Sequence, residues 1–185
     1  MIDLKIDTHE LERLALDLAG TEKEVQCALR STLSKMSAWL RTRTSRTLSQ
    51  ELRLKYSTVR HRIKAIRFKQ SANGGAGGVW IGLNPLDLKF VGVPVQNERG
   101  VTLRGRASFP HAFLGPRPGV KASKLNGNAF KRTGKDRLPI EKMGLEVKAD
   151  ADQAIESKAM DFAAFEKQFY KTFEHELKWQ TQKRK

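Results

Sequence analysis

The sequence predicts an α+β fold: two long helices, one in the N-terminal half and one at the C-terminus, packed on an antiparallel β-sheet with long loops. Three observations predict it. Val25, Leu29, Leu33, Met36 and Leu40 recur at spacings of three and four, the period of one helix face. Phe162, Phe165, Phe169, Phe173 and Leu177 repeat that pattern near the C-terminus. Between the two stretches, short alternating runs are broken by Gly, Pro and Asn, the texture of strands joined by turns.

The elements follow in order. Residues 8–18 read as a short helix, with Thr8 as cap and Leu11, Leu14, Ala15 and Leu18 as its stripe; Gly20 ends it. Thr21 followed by Glu24 is a capping box, and the helix it opens is expected to run from 22 to about 48. Arg30 and Arg41 flank its stripe on one side, Lys35 and Arg46 on the other. Ile66-Arg67-Phe68 alternates like a strand, "SANGGAGG" (71–78) reads as a flexible hairpin tip, and Val79–Leu83 as the returning strand. Further short strands are expected in 84–92, 93–105, 109–115, 130–132 and "LEVKA" (145–149), with a mobile loop near 116–128. A second long helix is expected from 154 to about 179, its phenylalanine stripe packed on the chain's own sheet in preference to an intersubunit seam. The whole, residues 1–185, is expected to form a single domain.

Composition narrows the function classes. With 39% hydrophobic and 30% charged residues the chain reads as soluble and globular. Its longest apolar runs are far too short to span a membrane, so no membrane partner is expected. The opening "MIDLKIDTHE" is acidic and lacks an apolar secretory core. A single cysteine, Cys27, excludes an internal disulfide and is expected to be a small buried hydrophobe.

The net charge of +15 is unevenly spread. Residues 1–28 carry a net −4, 29–69 a net +11, 70–140 a net +8 and 141–176 a net −4. A basic middle between acidic ends suits a polyanion, or copies of the chain packed end to middle. The candidate phosphate contacts are Arg41, Arg43, Arg46, Arg53, Lys55, Arg60, Arg62 and Lys64. Residues 51–69 have the look of a helix-turn-helix, but the recognition helix would be very short, and Leu52–Tyr56 has no glycine or small residue for the tight turn. Non-specific phosphate contact is the expectation.

Catalytic patterns are weak. Asp136, Glu146 and Lys148 have a spacing used by metal-dependent nucleases, but charged triplets of this kind arise by chance in so charged a chain. The histidines at 9, 61, 111 and 175 are scattered without metal-ligand spacing, and Glu174-His175-Glu176 is expected on the solvated side of the last helix. The glycine run 71–78 lacks the Gly-Lys-Ser/Thr of a phosphate-cradling loop. No enzyme activity and no cofactor are expected.

Three stretches resemble the minor tail protein Z family of long-tailed bacteriophages. The helix with a basic second half, "LRSTLSKMSAWLRTRTSRTLSQEL", runs into "YSTVRHRIKAI". "VWIGLNPLDLKFVG" is similar to the family's strand ending in an "LPxxKLG"-type turn, carried by Leu88, Lys89 and Gly92. "FPHAF" and "FKRTGKDRLPIEK" resemble the most specific motif, at Pro110, Ala112, Phe113, Arg132, Gly134, Arg137, Pro139 and Ile140. The family's basic insertion is replaced here by "SANGGAGG". The resemblance implies a tail-completion-like domain: a non-catalytic virion protein closing the head-proximal end of the tail. Its implied form is a homo-oligomeric ring, expected hexameric, around the DNA conduit. The implied partners are the tail terminator or tail tube, the head–neck connector and, without sequence preference, phage DNA. The implied location is the virion tail, and the host cytoplasm during assembly. The alternative from another class is a small stand-alone non-specific nucleic-acid-binding protein.

Overall fold

The computed structural model describes residues 8–18, 20–71, 74–103, 105–115, 127–159 and 161–183. It is a mixed helix and sheet structure with antiparallel pairing, a long N-terminal helix and a C-terminal helix. The chain divides into two compact units: Met1–Thr47, Arg60–Ile81 and Ala154–Lys185 form the first, and Leu48–Val59 with Gly82–Gln153 the second.

The first unit is built on helices α1 (Thr8–Asp17), α2 (Glu22–Glu51, its last residues counted in the second unit) and α6 (Phe162–Gln182), with the strands β1 (Ile63–Ser71) and β2 (Gly74–Ile81). One half of the predicted capping box is formed: the Thr21 N–H donates to Glu24 Oε2 at 2.7 Å, while the Thr21 hydroxyl also donates to that oxygen, at 2.8 Å. Glu22 and Glu24 also place negative charge in the first turn, where the helix dipole favours it. In α6, Phe165, Phe169, Phe173 and Leu177 are all buried, with Phe169 and Phe173 fully so. Phe169 and Phe173 stack with ring centroids 6.3 Å apart, and Trp39 meets Phe165 edge-on at 6.2 Å. Burying each such ring contributes about 1.5–3 kcal/mol. Their partners are Leu14 and Ala15 of α1, Leu18 just beyond it, and Ala28, Met36, Leu29, Leu33 and Leu40 of α2. The stripe therefore meets helices of its own chain where a sheet had been expected. The expected fifth member, Phe162, is half-exposed at the first position of α6.

The buried line of α2 is more polar than its sequence stripe. Ala28, Thr32, Met36, Ser37, Thr44 and Ser45 are buried, whereas Val25, Leu29, Leu33, Leu40 and Thr47 are only half-buried. Two of these hydroxyls are satisfied inside the helix: Ser37 donates to the Leu33 carbonyl at 3.1 Å and Ser45 to that of Arg41 at 2.6 Å. Serine can thus occupy a packed face without stranding its donor. Cys27 lies one position off this line and is exposed, which corrects the expectation of a buried thiol.

The second long helix starts later than expected. Residues 148–154 form α5 (Lys148–Ala154), followed by a π-helical turn, Ile155–Ala159, and a fresh start at Phe162. Asp161 makes that start, its Oδ1 accepting the Ala164 N–H at 3.0 Å. The supposed strand "LEVKA" is likewise corrected: only Gly144–Leu145 pairs as a strand, and Lys148 already begins α5. The glycine run is not a loop from end to end. Gly74–Gly78 continue β2, paired with β1 from Ser71 back to Ile66, and only residues 72–73 of that run lie outside the described residues. Of the loop expected near 116–128, residues 116–126 lie outside the described residues.

Among the described residues, the second unit holds three small antiparallel sheets. β3 (Leu86–Asp87) pairs with β10 (Gly144–Leu145); β4 (Pro94–Asn97), β5 (Gly100–Leu103) and β6 (Ala107–Pro110) form a meander; β7 (Ala112–Leu114), β8 (Ala129–Arg132) and β9 (Ile140–Lys142) form another. Leu88, Val101, Leu103, Ala112 and Ala129 make its core, with Phe109, Leu114, Met143 and Leu145 packed against them. The stretch 84–92, expected as strand, becomes a short helix at its end, α4 (Leu88–Val91), closed by the Gly92 N–H on the Leu88 carbonyl at 3.2 Å. "FPHAF" is two strands: His111, at φ +61°, turns the chain between β6 and β7.

Candidate nucleic-acid interface

The stretch that suggested DNA reading folds into a short helix and a strand. α3 (Tyr56–His61) has six residues, and Val59 and Ile63 anchor it and the start of β1 inward at 5% and 0% exposure. Fewer than two turns cannot lie along a major groove and present several base-reading side chains on one face.

The eight candidate phosphate contacts separate into distinct roles. Arg41 works inside the first unit: its guanidinium donates to the Ile63 carbonyl at 2.7 Å and to the Arg60 carbonyl at 3.2 Å. It thereby caps the C-terminal end of α3 and fixes the entry of β1. Arg43 lies over the Trp39 ring, 5.4 Å from its centroid, and pairs with Asp161 at 3.1 Å, joining α2 to the capping residue of α6. These two arginines hold the helices in place through their intramolecular partners. Arg53 adopts φ +48° just beyond α2. The Leu54 N–H returns to the Ser49 carbonyl at 3.0 Å, a left-handed helix stop that glycine usually occupies. The Ser49 hydroxyl, bonded to the Leu54 carbonyl at 2.8 Å, and the Arg106 guanidinium, bonded to the Arg53 carbonyl, hold this stop without a glycine. Arg46, Lys55, Arg60 and Lys64 are exposed, and Arg62 is half-buried. No acidic residue occurs between Glu51 and Asp87.

The family-motif positions gather in the second unit. Leu88 and Ala112 are core; Phe113 packs against Phe130 with centroids 6.2 Å apart, and Arg132 lies over its ring at 5.6 Å. Ile140 pairs with Arg132 across β8–β9, while Thr133 closes the intervening turn by donating its hydroxyl to the Pro139 carbonyl at 3.2 Å. Lys89, Gly92, Pro110, Gly134, Arg137 and Pro139 are exposed. The motif thus describes a β hairpin, its turn and its packing partners.

The nuclease pattern does not assemble. Glu146 and Lys148 line a cavity of about 450 Å³ with Asp150 and Asp152; Asp136 lies elsewhere, in the exposed bend 133–137. Glu146 and Asp150 also line a second cavity, of about 470 Å³, that includes Arg53 and Arg106. Among the described residues no group of three His, Cys, Asp or Glu side chains is placed to hold a metal ion. Accordingly, the purified protein is expected to show no plasmid cleavage that depends on magnesium and Glu146, and Glu146→Ala is expected to melt like the parent. Magnesium-dependent plasmid cleavage by the purified protein, lost in that variant, would reverse this.

Sequence reasoning misplaced Glu176. It is buried at 6% exposure, accepting from the Ser31 hydroxyl at 2.6 Å and paired with Lys35 of α2. A helical count from Phe169 and Phe173 places position 176 on the phenylalanine stripe, the signal that was available. Burial pushes its carboxyl up, but the hydrogen bonds from Lys35 and Ser31, with the charges of Lys35 and His175, outweigh it and leave the group below the usual carboxylate range. A lowered folded-state value gives stability that is present above the unfolded value of about 4.3 and is lost as pH falls through the folded one. Glu176→Gln is therefore expected to cost about 1–2 kcal/mol at pH 7 and to shrink the loss of stability on acidification below about pH 4.5. Lys35 is 55% exposed and can turn to solvent, which keeps the cost low. Denaturant melts at pH 7 and pH 3.5 measure both effects.

No protein-family model matches the chain, and no curated protein or solved structure matches it significantly.

Proposed function

We propose that this chain is a non-catalytic structural protein of a long-tailed phage virion. In this reading it completes the head-proximal end of the tail as a homo-oligomeric ring of six copies. The ring joins the tail terminator and tube to the head–neck connector and surrounds the DNA conduit, the chain reaching the virion from the host cytoplasm. The observation that carries the reading is the carboxylate-free stretch between Glu51 and Asp87, with exposed Lys55, Arg60 and Lys64. Cations gathered along a stretch of chain that itself holds no carboxylate raise a positive potential that a polyanion can screen. The acidic segments 1–28 and 141–176, at −4 each, cannot neutralise +11 and +8 together, so positive surface remains even when copies pack end to middle. The tail-family motif residues in "FPHAF" and "FKRTGKDRLPI" supply the virion context.

Negative-stain imaging of purified tails carrying a labelled copy tests the location. A monomer or dimer that shifts DNA and is absent from particles would replace this reading with a stand-alone binder. For the DNA contact, each phosphate engaged adds roughly 0.9 to the slope of log affinity against log salt. Replacing Arg60, Arg62 and Lys64 by Gln is expected to flatten that slope and weaken binding equally for unrelated duplexes. A triple variant that keeps the slope yet fails to join the tail marks the segment as a protein-docking surface.

A further inference from the structure

The β1–β2 hairpin presents two different faces. Alternation along β1 turns Ile63 inward, fully buried, with Ala65 half-buried, while Lys64 and Ile66 face out, Ile66 at 47% exposure. Trp80 is paired directly with Lys64 across the strands and is 51% exposed. The Lys64 ammonium lies 5.7 Å from the Trp80 ring centroid. Two residues back on the same face of β2 is Gly78, where an added Cβ would meet nothing within 4 Å. The surface beside the indole is therefore open.

Half of a tryptophan left in water gives up apolar burial of the kind that this unit achieves with Phe165, Phe169 and Phe173. The exposed ring sits on a stretch of chain with no carboxylate from Leu52 to Leu86. A partner that complements both features carries flat π faces and regularly spaced negative charge. We propose that the outward face of the β1–β2 hairpin is a stacking platform for single-stranded nucleic acid, with Trp80 stacking an unpaired base and Lys64 meeting the adjoining phosphate. An anionic lipid surface fits less well: it offers negative charge but no flat π face for the Trp80 indole to stack on. In a duplex the bases are already stacked, so the ring has no face to take, and only the cations engage.

The proposal rests on the polyanion-facing reading of the basic stretch, and the experiment separates the two. Fluorescence anisotropy of the full chain with labelled oligo-dT of 30 nucleotides and with a 30-base-pair duplex, over a range of salt, gives both affinities. Trp80→Ala is expected to weaken oligo-dT binding by about 5- to 100-fold and leave duplex binding within about twofold. Trp80→Phe keeps a ring and is expected to retain most of the single-strand affinity. Lys64→Gln is expected to lower the oligo-dT salt slope by about 0.7. Equal loss on both nucleic acids, or no loss on either, overturns the stacking role. Failure of the wild-type chain to bind the duplex, with oligo-dT binding intact, instead overturns only the duplex-contact reading. Trp80-dependent binding to phosphatidylserine vesicles, or Trp80-dependent self-association in sedimentation, with oligo-dT binding unchanged, overturns the proposal in favour of a membrane or a second copy.

Discussion

Phe169→Ala is expected to lower the unfolding free energy by about 3–5 kcal/mol, the usual range for removing a buried aromatic ring and leaving its cavity. Phe169 is fully buried, with Phe165, Tyr170 and Phe173 around it at centroid distances of 6.4, 5.6 and 6.3 Å. Its neighbours are held by three helices, so the space cannot close by the movement of one side chain. For a chain of this size the loss corresponds to a melting midpoint lower by roughly 6–20 °C. Phe162→Ala is the matched control. Its ring is half-exposed at the start of the same helix, and its loss is expected to cost well under about 1 kcal/mol. If instead Phe169→Ala melts like the parent and changes the self-association of the chain in sedimentation, the stripe is an intersubunit seam and not a helical core.

Gly100→Ala is the second large effect, and it acts in the other unit. Gly100 opens β5 opposite Pro110 with φ +141°, a conformation essentially confined to glycine. A Cβ there would lie 2.9 Å from the His111 nitrogen and 3.1 Å from Pro110 Cα, and closer still to the Phe109 carbonyl oxygen. All three are backbone atoms, which cannot swing aside as a side chain can. Strain and overpacking together are expected to cost about 2–6 kcal/mol. Faster amide exchange at Val101 and Phe109, paired across β5–β6, reports the break. Gly105→Ala isolates the backbone term: its φ is +72°, but nothing lies within 4 Å of the new methyl, so only about 1 kcal/mol is expected. Equal losses in the two variants would falsify the steric account.

The parts of this fold legible in the sequence are those written in local periodicity. Thr21 and Glu24 announce the start of α2 because the capping box is made by two residues three apart. The α6 stripe is legible because Phe165, Phe169, Phe173 and Leu177 at helical spacing put four large apolar side chains on one face, though the spacing also counted Phe162, which stays half-exposed. Strand positions in the β cluster are legible where turn residues break short apolar runs, as at "AFKR", whereas the single strand expected over 109–115 is split at His111.

Tertiary structure decided what depends on register and on neighbours remote in the chain. The break before α6 comes from Asp161, which caps the helix and also receives Arg43 from 118 residues earlier. The charge of Glu176 is tolerated inside because Ser31 and Lys35 reach it from α2. Arg41, which by composition looks like any other basic residue, is committed to the carbonyls of Arg60 and Ile63. Whether Trp80 packs or faces water depends on which residue it meets across the hairpin, and alternation on one strand does not contain that register. The sequence by itself determined the α+β class, the Thr21–Glu24 contact that opens α2 and the basic middle, since each is a property of residues close together. Which cations brace the fold and which face outward was decided only by the packing that brings distant segments within a few ångströms of one another.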